Sequence, residues 1–379
     1  MNYLKNKNLT SINPFLAMEI LMQAQELQRQ GRDIIHLAIG EPDFHTPDSI
    51  VQAGIQAIHA HQTKYTHTQG TLELRQAIAE KYAVQGIKVD PQQILVSAGS
   101  SLLLYLAFRI LVAPGEELIM TDPGYPCYFN LATLAGAKVK RFRLYREDGY
   151  LPDVAKLKKM ITKKTRAIII NNPMNPTGVV FPAEILKALG RLPVPIISDE
   201  IYSDLAYEGE HHSMLKFQKD TILLSGFSKS YAMTGWRLGY MVLPKKLVSI
   251  ASKIHQNIMI SAPHFVQDAG IAALKHTASD LQHMAGELNR RRLFLLGKLD
   301  EMGLSPGYRP TAAYYVLWPY PKKGKSLNLA KDILNKCGVA LTPGVDFGPS
   351  GEGHLRLSYA NSIENIGEAL RRLGEYFKI

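Results

Sequence analysis

Cysteine is nearly absent from this chain of 379 residues, which has only Cys127 and Cys337. Two thiols build neither a disulfide framework nor a cysteine-rich metal centre, so the sequence predicts no metal site and a reducing, cytoplasmic setting. No apolar run approaches the roughly 20 residues that span a bilayer. The opening MNYLKNKNLTSINPF has no apolar stretch of the kind a secretory leader needs. Two nucleotide-binding signatures are also missing. No G-x-G-x-x-G occurs, and the GKS at 324–326 has Pro319 where a phosphate-binding loop needs its first glycine. Positive charge is plentiful, at a net +11, but Lys and Arg are interleaved with Asp and Glu. The densest clusters, 156–166 and Arg290 to Arg292, read as solvated helix faces and give no case for nucleic acid as a partner.

With 46% hydrophobic residues the chain can bury a sizeable core, and its length favours more than one domain-sized unit. Apolar runs at 94–97, 117–121, 167–170, 194–197 and 221–224 read as buried strands. They are separated by segments with helical spacing, which predicts an α/β fold: a mostly parallel sheet flanked by helices, with its ligand site beyond the strand ends. Asn13-Pro14 reads as the start of a first helix that Gly31 ends. A long helical region from about 245 to 300 leads into a C-terminal part with strands at TAAYYVLWPY and LRLSYA and a final helix over 363–376.

Several strand ends deliver residues suited to chemistry. Gly99, Ser100 and Ser101 form a small-residue turn ahead of a buried helix, where backbone N–H groups and the positive end of the helix dipole suit a phosphate. Asn171 and Asn175 follow the third strand, between prolines that stop any ladder or helix. Asp199 ends the fourth strand, and an ionised carboxylate at the edge of a core needs a charged partner. Lys229 follows the fifth strand within SGFSKSYAMTGWRLGY. Partial burial there disfavours its ammonium form and frees the amine to condense with a carbonyl.

The stretch around Lys229 closely resembles the cofactor-lysine motif of the class I/II aminotransferases, pyridoxal-phosphate enzymes of fold type I that include the bacterial aspartate and aromatic transaminases. The resemblance continues in order through GEPDF at 40–44, KYT at 64–66, AGSS at 98–101, NNPMNPTG at 171–178, SDEIY at 198–202 and LRLSYA at 355–360. It implies pyridoxal 5'-phosphate as cofactor, with Lys229 as its covalent anchor and proton carrier. Asp199 would pair with the ring nitrogen, Tyr125 stack on the ring, and Asn175 and Tyr202 share the phenolic oxygen. Gly99, Ser100, Ser101 and Arg237 would hold the cofactor's phosphate end, and Ser228 would also contact the cofactor. Arg356 and Gly40, with Asn175, would receive the substrate carboxylate. Tyr65 would reach the partner subunit's site in a homodimer. Family members divide into a large domain, here 45–285, and a discontinuous small one, here 1–44 and 286–379.

Amino-group exchange between an L-amino acid and a 2-oxo acid is the activity this resemblance implies. A β-lyase or a cyclopropane-forming synthase shares the same cofactor residues and is the alternative. A DNA-binding regulator built on this fold would need more than the roughly 40 residues that precede the pattern. Aspartate-using enzymes of one bacterial subgroup carry a lysine in the place of Ser101. An uncharged serine there predicts a neutral, apolar or aromatic donor, with neutral residues near Ile12, Phe15 and Tyr125 lining the site unless Arg32, Arg109 or a partner's arginine supplies a cation.

Overall fold

A computed structural model of the chain describes residues 10–378. Residues 1–9 and 379, which belong to the expected small domain, lie outside the described residues. The strands are β1 (Ile35–His36), β2 (Ile94–Ser97), β3 (Glu117–Asp122), β4 (Lys138–Arg143), β5 (Thr165–Asn171), β6 (Ile196–Asp199), β7 (Ile222–Gly226), β8 (Gly239–Val242), β9 (Tyr315–Pro319), β10 (Val339–Ala340), β11 (Thr342–Pro343) and β12 (His354–Ser358). The helices are α1 (Leu16–Arg29), α2 (Asp48–His59), α3 (Leu72–Val84), α4 (Ser100–Leu111), α5 (Pro126–Leu134), α6 (Val154–Met160), α7 (Ala183–Leu189), α8 (Lys245–Ile258), α9 (His264–His276), α10 (Ala278–Glu301), α11 (Ser326–Cys337) and α12 (Ile363–Phe377).

Seven strands form the central sheet in the order β2-β8-β7-β6-β5-β3-β4. Only β8 runs against its neighbours. Successive residues of a strand face opposite sides, so a sheet covered on both faces needs continuous apolar strands. β5 meets that need: Ile169 packs with Leu103 and Phe108 of α4, whereas Ile168 and Ile170 pack with Leu186 of α7 and Phe181. All five expected strands are present, with β6 shifted two residues later than 194–197 so that Asp199 closes the strand. β4 and β8 were not anticipated. β4, at the sheet edge, has the sequence KVKRFR, and its solvent-facing charges conceal the strand.

A second core joins the two ends of the chain. Ile20, Ile34 and Leu37 from the N-terminal part pack with Leu295, Trp318, Leu334, Leu357 and Leu370. β1 pairs in parallel with β10, and β9, β11 and β12 make a three-stranded antiparallel sheet. The helical region from 245 is three helices, broken between Ile258 and His264 and again at Thr277. The first helix begins at Leu16 with Phe15 at its N-cap, later than Asn13-Pro14 suggested. The GKS segment opens α11, where the Ser326 amide donates to Glu352 Oε1 at 2.6 Å. A carboxylate there leaves no phosphate loop.

Candidate active site

The carboxyl ends of β2, β5, β6 and β7 converge on a cavity of about 560 Å³. Ser100 and Ser101, on the first turn of α4, lie in its wall. Gly99, the residue before them, has a positive φ of 89° and makes no side-chain cap, so the first amides of α4 have no side-chain acceptor at that end. A Cβ at Gly99 would collide with the Arg237 guanidinium, which also lines the cavity. The positive φ calls for glycine there, and a side chain would also push the end of Arg237 aside. Arg237 donates from Nη1 to the Thr234 carbonyl at 2.9 Å. Helix-start amides, two hydroxyls and a guanidinium thus face one end of the cavity, a set suited to a phosphate.

Asp199 lies at the cavity's floor. Tyr128 donates to Oδ2 at 2.7 Å, and the Ile201 amide donates to Oδ1 at 3.3 Å. Burial outweighs these bonds and pushes the carboxyl up to about 6. No cation is within hydrogen-bond reach of Asp199 among the described residues, although Lys229 acts on it through space. Asn171 fixes the adjoining loop by donating to the Asp199 carbonyl at 2.9 Å and accepting from the Asn175 amide at 2.7 Å. The Tyr202 and Tyr315 hydroxyls are 2.9 Å apart. Tyr125, at the start of α5, meets Tyr128 and Phe15 edge-on.

Lys229 Nζ donates to the Gly40 carbonyl at 2.7 Å. Burial, reinforced by the positive charge of Arg356, brings its amine down to about 8. Arg356 is buried on β12. Nη1 donates to Asn175 Oδ1 at 3.0 Å and Nη2 to the Ala38 carbonyl and Thr342 Oγ1, while its guanidinium lies over the Tyr315 ring. Its Nε is buried and has no partner. A buried, orphaned guanidinium N–H marks a place for an acceptor that arrives with a ligand. Gly40 is pressed against the Tyr315 hydroxyl, leaving no room for a side chain.

The structure therefore brings Gly40, Ser100, Ser101, Tyr125, Asn175, Asp199, Tyr202, Lys229, Arg237 and Arg356 to one cavity, with Gly99 directly against Arg237. Tyr65 and Ser228 are not in its wall: Tyr65 is 79% exposed and Ser228 is buried. Of the expected neutral lining, Phe15 and Tyr125 are present and Ile12 is not, because the chain there is tied outward through Asn13 to Asn130. Arg32 and Arg109 are engaged elsewhere, with the carbonyls of Asn335 and Ala135. Sequence reasoning missed Tyr128, although its place three residues after Tyr125 puts both on one helix face. It also missed Glu41, Thr234 and Tyr315 in the wall. No group of acidic, histidine or cysteine side chains suited to a metal occurs among the described residues.

A lysine amine with a lowered pKa, a buried carboxylate short of a cation and an anion cradle at a helix start fit pyridoxal phosphate, and with this sheet they define a fold-type-I enzyme. Residues 32–373 match the family described as "Aminotransferase class I and II", and the chain belongs to that family. It is a pyridoxal-phosphate-dependent aminotransferase. It is 40% identical over 378 residues to the (5-formylfuran-3-yl)methyl phosphate transaminase of Methanocaldococcus jannaschii, covering 98% of this chain and 99% of that one. It is 36% identical to the aspartate/prephenate aminotransferase of Thermus thermophilus, covering 97% of each. A solved structure of the Thermus thermophilus aspartate aminotransferase with maleate superimposes with a TM-score of 0.93 at 35% identity, over 97% of this chain and 98% of that one. These likenesses favour amino-group transfer over the lyase, cyclopropane-forming and regulator readings.

Proposed function

We propose that this aminotransferase takes a neutral, apolar or aromatic L-amino acid as donor and a 2-oxo acid such as pyruvate as acceptor. The observation that carries the proposal is the charge of the wall. Its only cations among the described residues are Lys229, Arg237 and Arg356, and each already has a task. Ser101 is uncharged, Glu41 adds a negative charge, and Phe15, Met18, Ile39 and Leu104 are apolar. A distal carboxylate without a cationic partner costs several kcal/mol to bury. A panel of common amino acids at one fixed acceptor, compared by kcat/KM, tests the proposal. Aspartate as best donor by tenfold or more would overturn it.

When bound, pyridoxal phosphate supplies a carbonyl that condenses with the substrate amine and a ring that accepts electrons from the adjacent carbon. In our reading the protein's part is to hold and to move protons. Asp199 would keep a proton on the ring nitrogen, and Tyr128 holds that carboxylate in place. Asn175 and Tyr202 would address the phenolic oxygen, Tyr125 would cover the ring, and Gly99, Ser100, Ser101 and Arg237 would bind the phosphate. Arg356 receives the α-carboxylate as a fork, a geometry a lysine cannot offer. Lys229 Nζ moves the proton at the substrate Cα, aided by a pKa near 8 that leaves more of it neutral than an ordinary lysine.

The same proposal includes a homodimer completed by Tyr65 and a cytoplasmic setting. The dimer is supported by apolar side chains left close to half exposed: Ile55 and Ile58 on α2 and Leu72 on α3, close in sequence to the exposed Tyr65, and Ile258 on α8, shortly before Ser261, whose hydroxyl accepts from the Thr66 amide at 3.3 Å. The cytoplasmic setting rests on two unpaired cysteines. We also keep the division into 45–285 and 1–44 with 286–379. It is supported by α10, which from Leu288 onward gives Leu288, Leu295 and Leu299 to the core that joins the chain ends.

A further inference from the structure

We infer that Asp346 is a positioning residue for the amino-acid pocket: its carboxylate caps α1 from across the fold and so sets the wall made by Phe15, Ala17 and Met18, which discriminates large from small substrate side chains. The inference rests on the reading of this cavity as the amino-acid site.

The first amides of a helix have no partner within it, and Ser, Thr, Asp or Asn at the N-cap normally supplies one. α1 has Phe15 there, and a phenyl ring has no acceptor. Asp346 fills the gap from 330 residues away. Its Oδ1 accepts from the Leu16 amide at 3.0 Å and its Oδ2 from the Ala17 amide at 3.1 Å. A carboxylate at this end also opposes the positive pole of the helix dipole.

The anchor itself is fixed. Asp346 lies in the tight turn Gly344–Phe347, where the Val345 amide donates to Ser326 Oγ at 3.2 Å and the Phe347 ring lies under Arg356 at 5.0 Å. On the other side, Phe15, Ala17 and Met18 all line the cavity, and Phe15 meets Tyr125 at a centroid distance of 6.1 Å. The later turns of α1 are held by Ile20 and Ala24 in the C-terminal core. The first turn, the part that faces the substrate, has its amides held by Asp346.

Asp153 provides an internal control. It caps α6 by accepting from the Lys156 amide at 3.0 Å, and α6 does not line the cavity. The experiment compares Asp346→Asn, Asp346→Ala and Asp153→Ala in the holoenzyme. Amide exchange over residues 16–20 and kcat/KM for phenylalanine and for alanine are measured for each. For the Asp346 variants we expect exchange over 16–20 to quicken about tenfold, the scale of a lost cap. The phenylalanine-to-alanine ratio should shift roughly three- to tenfold relative to wild type, through KM, with kcat on alanine held within about a factor of two. Asp153→Ala should lower the melting temperature and leave both readouts alone.

An unchanged ratio in the Asp346 variants, an equal loss for both donors, or the same shift in Asp153→Ala would overturn the inference. Should Asp346→Ala fail to fold, Asp346→Asn keeps the shape and removes the charge, so it still decides. Because the ratio is read against wild type, an error in the proposed donor class changes the wild-type preference and leaves this readout intact.

Discussion

Burial moves two ionisable groups in the cavity wall in opposite directions, Asp199 up to about 6 and Lys229 down to about 8. For Asp199 the folded-state value lies above the ordinary 3.8. The cofactor-free fold then binds more protons than the unfolded chain between these values, so the contribution of this group is present at low pH and lost as pH rises through 6. Asp199→Asn should therefore raise the stability of the cofactor-free protein at pH 8, by about 1–3 kcal/mol, and the gain should vanish near pH 4. Denaturant melts of both proteins at the two pH values check this, and an equal gain at both would refute it. Lys229 has a different test. Borohydride should fix the cofactor to Lys229, as peptide mapping would locate, and Lys229→Ala should lower turnover by at least roughly a thousandfold while the cofactor still binds. Turnover near wild type in that variant would remove Lys229 from the chemistry.

At the scale of elements, the turn into α4 shows why one residue is irreplaceable. Gly99→Ala meets both a positive φ and the Arg237 guanidinium. Cofactor affinity, measured by absorbance titration of the cofactor-free protein, should fall by at least about tenfold. An unchanged affinity would mean that the phosphate does not sit at this turn. Sequence and structure agree best where strand, turn and helix are consecutive, as from β2 to α4. The apolar runs and the small-residue turn are local signals there, and so are β5 and β7. Legibility fails where partners are distant. β4 presents charges along an edge, and α1 begins two residues after Pro14 because its cap is Asp346 rather than a neighbour in sequence. Tyr315 reaches Tyr202 from 113 residues away, and nothing in the spacing of either tyrosine announces it. Ser228 shows the converse, since the resemblance implies a contact with the cofactor and the structure buries it outside the cavity wall.

For the whole molecule, the proposed homodimer makes cofactor retention depend on association. Tyr65→Ala should weaken cofactor binding and activity together, and sedimentation at falling concentration should show both lost with the dimer. A fully active monomer would contradict the proposal. The closing of the two chain ends on each other has a consequence for synthesis. β1 takes its partner from β10, Leu37 accepts from the Ser358 amide, and Ile34 and Leu37 complete their core with Leu334 and Leu357. All seven strands of the central sheet have been made once residue 242 has left the ribosome. Residues 34–38 must then wait until partners at 339–358 have been made, roughly 100 residues further on, a delay of about 5–20 s at ~5–20 residues per second. During that interval the nascent chain carries a finished sheet beside an unpaired apolar segment, which makes the newborn protein a client for chaperones that grip short, greasy stretches until the last strand arrives.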